Sequence, residues 1–237
     1  MPDADPTRSR AAAVARAIED DIVASGWRVG ESIGSESELM ERFGVGRASI
    51  REAFRILDSR HVATPRRGPG GGLVVTAPDR SAVLDHASLY LEYTGFAPGD
   101  VYSVMETLEV SAAQDLTATI DSAGIDRLRQ VLAEGAIAAD YRERTVTVHT
   151  EIARLAGNAV LELFVHMGNN LARLHGVAPT QSERAWMHER NIELVDAIVA
   201  GDAIAAGRAV RRRVRAMTKR EALSAQRNTT TKKDVEQ

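Results

Sequence analysis

Residues 35–75 read SESELMERFGVGRASIREAFRILDSRHVATPRRGPGGGLVV. Ser35 followed by Glu38 is a capping-box pattern that starts a short helix. Gly44 and Gly46 end that helix and allow a tight turn, and a second helix starts near Arg47. At about 100° per residue, Ile50, Ala53, Phe54 and Leu57 share one face, which must pack on neighbouring helices. Arg47, Arg51 and Arg55 follow one another at every fourth position on the adjacent face, and Ser49 is grouped with them as a DNA-facing residue. Such an arginine row near a helix start suits the DNA major groove, because a guanidinium pairs bidentately with guanine or holds phosphate.

The segment after it predicts a β-hairpin. Val62, Val74 and Val75 are strand material, and the tip is rich in glycine. Arg66 and Arg67 precede Gly68, so the tip is basic and free of bulk, as a wing approaching a phosphate backbone must be. Between 47 and 67, six arginines against Glu52 and Asp58 leave four net positive charges.

That patch is local, since the whole chain of 237 residues has a formal net charge of −3. Hydrophobic residues at 44% and charged residues at 27% describe a globular chain, long enough for one large or two small domains. There is no cysteine, which excludes disulfides and thiolate metal sites and suits the cytoplasm. No apolar run approaches the roughly 20 residues that span a bilayer, so no membrane partner is expected.

The break at 64–80 holds three prolines and four glycines. Before it, periodicity predicts helices near 9–25, 36–43 and 47–60. After it, helices are expected near 81–95, 99–119, 123–138, 142–156, 159–176, 181–200 and 202–223. The fold expected is therefore mainly α: a winged helix-turn-helix over 9–78, then a bundle of six or seven helices over 79–223. Residues 1–8 and 224–237 are expected to be flexible tails.

The motif R-x-x-I-R-E-A at Arg47, Ile50, Arg51, Glu52 and Ala53, with its flanks, resembles the winged helix-turn-helix of the GntR family of bacterial transcriptional regulators. The rest resembles the FadR-like branch, whose C-terminal FCD domain is a helical effector-binding bundle. The likeness runs over about residues 9–222. It implies that Arg47 and Arg51 read the major groove and that Arg67 and Gly68 make the wing contact. Ser37 stands where the family often has arginine, and Ile33 and Gly34 replace Leu and Pro.

Many FadR-like domains are similar in carrying a metal held by one Asp and three His. By that resemblance, Thr145 stands in the Asp position, His149 is the retained first His, and Asn191 and Arg213 replace the other two. Periodicity turns these residues inward: Thr145 and His149 with Ile152, His188 and Asn191 with Val195, and Arg213 between Val210 and Val214. Met105, expected inward with Val101, Val104 and Leu108, replaces a family arginine. A buried guanidinium needs an anionic partner. Glu109 is one candidate and a ligand carboxylate is another.

The resulting expectation is a dimeric DNA-binding regulator, most simply a repressor, that uses no metal or other cofactor. Operator DNA and a small carboxylate effector would be its partners, with the effector held by Met105, Glu109, Thr145, His149, His188, Asn191 and Arg213. Three other readings stay open: a reduced metal site on His149 and His188, a DNA-binding scaffold without effector, and an all-helical enzyme. Against the last, the chain shows no nucleophile elbow, P-loop or paired-carboxylate motif.

Overall fold

The computed structural model describes residues 6–66, 68, 72–137, 147–175 and 178–235. The chain forms two compact units, residues 1–83 and 84–237.

The first unit contains α1 (Pro6–Ala24), β1 (Ser32–Gly34), α2 (Glu36–Phe43), α3 (Arg47–Ser59), β2 (Ala63–Arg66) and β3 (Gly72–Val75). The capping box starts α2: Ser35 Oγ accepts the Glu38 N–H at 3.3 Å, and the Glu38 carboxylate accepts the Ser35 N–H at 2.7 Å. Such a cap contributes about 1 kcal/mol. Gly44 closes the helix in the left-handed region, at φ 61°, a conformation that costs glycine little. The apolar face of α3 then buries Ile50, Ala53, Phe54 and Leu57 against Ile18 of α1, Leu39 of α2 and Leu73 of β3.

The expected hairpin is β2–β3, with Arg66 opposite Gly72. A third strand, β1, was not expected; it adds to the other edge of β3 to give the order β1-β3-β2. β1 is three residues long and its register shifts between Ser32 and Gly34, too short for alternation to reveal it. Gly72 makes this sheet possible. A Cβ there would stand 2.3 Å from the Gly34 carbonyl oxygen.

The second unit takes in most of α4 (Arg80–Thr94), followed by α5 (Pro98–Thr119), α6 (Ser122–Ile137), α7 (Val148–Leu155), α8 (Ala159–His175), α9 (Gln181–Val199) and α10 (Ala203–Val235). α5 lies at its centre, packed on α7, α8, α9 and α10. Its buried face is Tyr102, Met105, Glu109, Ala112, Ala113 and Leu116. Val104, expected inward beside Met105, is exposed instead, because the buried stripe runs through 102, 105 and 109. Leu128, Val131, Val165, Leu194, Val195 and Ile198 complete the core.

Two helix ends differ from expectation. The helix expected from 142 starts at Val148, because Thr147 is extended and caps it: Thr147 Oγ1 accepts the Thr150 N–H at 3.2 Å. At the other end, α10 runs on through Val235, past position 224, where the sequence reading placed a polar tail.

Gly72→Ala is expected to lower the stability of the first unit by about 1–3 kcal/mol, the usual cost of forcing atoms into filled space. Thermal unfolding followed by circular dichroism measures it, and an unchanged midpoint would contradict the close approach of β1 to β3.

Candidate functional site

The first candidate surface is built by α3 and the β2–β3 wing. Arg47, Arg51 and Arg55 are all exposed on α3, with side chains 72%, 62% and 78% accessible. Packing the opposite face of α3 leaves the row no other direction. Ser49 does not join it: this residue is buried, because two positions after Arg47 is roughly 200° around the helix. Arg66 is exposed at the end of β2, and a groove beside it is lined by Glu36, Arg51, Arg55 and Gly68. Gly68 has φ 109°, so the wing bends where only glycine is comfortable. Arg67 lies outside the described residues.

Glu36 also breaks into this basic surface, beside Glu52 and Asp58 of α3. Glu36, the first residue of α2, places Oε1 3.2 Å from Arg47 Nε and 3.3 Å from Arg51 Nε. Sequence reading missed it because the pairing is made across the turn between α2 and α3.

The second candidate site is a cavity of about 90 Å³ in the helical unit, several times what one water needs. His149, His188, Asn191 and Arg213 line it, as expected, together with Arg184 and Asn169. Glu109 lies behind Arg213 and His149. Met105 is buried in the core instead, with its thioether against Gly168 of α8. Thr145 lies outside the described residues.

Arg184 and Met187 were not anticipated, although a signal was available. Arg184, His188 and Asn191 form one stripe of α9 at i, i+4 and i+7, so extending the face of Asn191 by one more turn finds Arg184. Arg184 Nη1 donates to the Pro179 carbonyl at 3.0 Å.

Glu109 is the electrostatic centre of this unit, at 3% side-chain accessibility. Arg213 Nη2 donates to its Oε2. His149 Nδ1 lies 3.0 Å from the same oxygen but makes no aligned hydrogen bond, so that contact is electrostatic. On its other side, His149 Nε2 is hydrogen-bonded with Asn191 Oδ1 at 3.0 Å. Burial by itself pushes the Glu109 carboxyl up. Arg213, and after it His149, outweigh burial and hold it down at about 2, from an ordinary 4.5. Arg213 Nε and Glu109 Oε1 are buried without a hydrogen-bond partner.

These donors do not suit a divalent metal. His149 spends Nε2 on Asn191, and its Nδ1 faces a carboxylate oxygen already held by a guanidinium. A cation placed there would meet Arg213, which offers only donors. Among the described residues no group of three or more His, Asp or Glu converges as a metal site. Nor is any helix among them long and apolar enough to cross a membrane.

Fold and surfaces together define a class: a winged helix-turn-helix DNA-binding module joined to a helical ligand-binding domain. Residues 10–75 match the bacterial regulatory proteins of the gntR family, and residues 100–216 match the FCD domain. The chain belongs to the GntR family of transcriptional regulators, in its FadR-like, FCD-containing branch. Over 75 residues it is 41% identical to the HTH-type transcriptional regulator RmpR of Mycobacterium gastri, covering 31% of this chain and 27% of that protein. Over 119 residues it is 26% identical to the Uxu operon regulator of Haemophilus influenzae, covering 50% and 42%. The matched stretches thus span less than half the length of these curated relatives. A solved GntR structure from Streptococcus agalactiae shares the fold at a TM-score of 0.67 and 19% identity, covering 88% of this chain and 99% of that one.

Two outcomes are expected from the buried pair. Glu109→Gln strands the Arg213 guanidinium and should destabilise the helical unit by about 3–5 kcal/mol. Adding Arg213→Met to that variant should restore part of the loss, a positive coupling that a double-mutant cycle reads. The acid response follows from the depressed carboxyl. Its stabilisation is fully present above about 4.5 and is lost as pH falls through about 2, so acid unfolding of Glu109→Gln should show a shallower slope across that window.

Proposed function

We propose that this protein binds operator DNA as a homodimer through its winged helix-turn-helix and releases it when a small anionic effector enters the helical unit. The observation that carries the DNA reading is the exposed row of Arg47, Arg51 and Arg55 beside the wing residue Arg66. Arginines in the major groove read guanine while those at the edge hold phosphate. Two-fold symmetry would set two such helices about one DNA turn apart on a palindromic site. Wing contacts are assigned to Arg66, Arg67 and Gly68. Ser49 drops out of the reading set because its side chain is buried. The protein acts in this reading as a cytoplasmic repressor and not as an enzyme.

The effector reading rests on the cavity's charge. Arg184 and Arg213 both line it. Glu109 neutralises one guanidinium, and Arg184 remains as a second cation in the lining. A small carboxylate suits this site, with His149, His188 and Asn191 providing hydrogen bonds. Met105 belongs to the packing around the site and not to its wall. No metal is assigned, because Arg213 supplies at Glu109 the positive charge that a cation would supply.

Arg51→Ala is expected to weaken binding to duplex DNA and to reduce the slope of log affinity against log salt by about 1. Unchanged affinity in a gel-shift titration would reject the DNA surface. For the effector, a thermal-shift screen of small mono- and dicarboxylates should find one that stabilises the wild type by about 2.7 kcal/mol at a hundred times its Kd. Arg184→Ala should lose that stabilisation. Elemental analysis of protein purified without chelator should find no stoichiometric zinc or nickel, and one tightly held ion per chain would overturn the metal-free reading.

A further inference from the structure

Glu36 is an odd residue to find on a DNA-reading face, because it subtracts charge from the surface whose affinity depends on charge. Its geometry explains its presence. Oε1 stands 3.2 Å from Arg47 Nε, while Arg51 Nε donates to Oε1 at 3.3 Å and to Oε2 at 3.4 Å. Arg51 hydrogen-bonds Glu36 through Nε, whereas Arg47 Nε is held near the same carboxylate by charge, without an aligned hydrogen bond. A guanidinium has a second, end-on edge formed by Nη1 and Nη2. Among the described residues those Nη groups make no hydrogen bond, so both end-on edges remain available to a base. That edge makes the bidentate contact to guanine O6 and N7.

The anchor is itself well placed. Glu36 begins α2, whose start is fixed by the Ser35–Glu38 capping box, and its carboxylate is 32% accessible. The contrast with Arg55 is informative. Arg55 pairs through Nη1 with Glu52 on its own helix, at 2.9 Å, a contact that occupies the end-on edge. It leaves Arg55 suited to phosphate and poorly suited to a base.

Resting on the DNA reading given above, we propose that Glu36 is a positioning residue for sequence selection. It holds Arg51 by its Nε side, keeps Arg47 beside it by charge, leaves their end-on edges for the DNA, and lowers affinity for DNA of arbitrary sequence. An exposed ion pair contributes little to stability, about 0–1 kcal/mol, so the function of Glu36 lies in discrimination. A long arginine side chain that is already ordered loses less freedom when it meets its base. The negative charge makes every non-matching contact weaker by the same electrostatic amount.

The test uses full-length protein and two probes: short random-sequence duplexes, and duplexes enriched from that pool by repeated selection with the wild type. Glu36→Ala is expected to bind the random duplexes several-fold more tightly, with a salt slope steeper by about 1. Its preference for the enriched duplexes should fall by roughly tenfold or more, the scale of one bidentate base contact. Glu36→Gln keeps an acceptor for Nε while losing the charge. It should therefore share the tighter random binding and retain more of the preference. An unchanged ratio in Glu36→Ala would overturn the proposal while leaving the DNA reading intact. So would parallel loss of both affinities with a lowered unfolding midpoint, which marks a structural role. Wild-type protein that enriches no sequence would overturn both.

Discussion

A carboxylate at 3% accessibility inside a helical domain must meet positive charge, and Glu109 meets it in Arg213. Much of the second unit is arranged by that requirement. α5 brings the acid, α10 the guanidinium, α7 the imidazole, and α9 the amide that holds the far side of the ring. Four helices are thereby fixed in register by polar contacts as well as by shape. Apolar packing of Ala, Val and Leu tolerates sliding. A buried pair does not, because a shift of one helical step would strand a charge.

The two units use the same device at different depths. In the helical unit, Glu109 neutralises an arginine that water hardly reaches, and the consequence is structural and electrostatic. In the DNA-binding unit, Glu36 neutralises arginines that are more than half exposed, where an ion pair adds little stability. What it changes there is direction and net charge. The physical difference is the dielectric around the pair.

The fold was legible because its signals are local. Capping at Ser35, the glycine turn and the arginine-led helix lie within 13 residues, and each fixes its neighbour's geometry. The hairpin followed from glycine and valine placement. β1 was not legible: three residues carry no period, and it exists only because β3 offers it an edge. The start of α7 was misplaced because Thr147 and Thr150 cap a helix in the middle of a stretch with helical periodicity. In the pocket, periodicity turned His149, His188, Asn191 and Arg213 inward, and the cavity gathers all four. Val104 was placed inward by an average helical angle, whereas the buried stripe of α5 runs through Tyr102, Met105 and Glu109. Met105 is buried as expected but packs against Gly168 and does not line the cavity. Glu36 and Arg184 were missed for a different reason. Each acts across a turn or one helical turn beyond the residues whose pattern drew attention.

In the effector reading proposed above, the pairing of Glu109 with Arg213 would also narrow what the cavity selects. If Arg213 were unpaired, any small anion would be drawn in by a buried positive charge, and the empty state would carry the cost of that charge. With Glu109 in place, the empty site is neutral at its floor and stable by itself. A carboxylate effector of the kind proposed above would find Arg213 already engaged by Glu109 through Nη2 and would meet Arg184 as a second cation. An anion without hydrogen-bonding groups of its own would gain little from the remaining lining, since His149 Nε2 is already engaged with Asn191. On that proposal, discrimination would fall on polar groups flanking the effector's carboxylate, which would have to match His188, Asn191 and Asn169 better than water does.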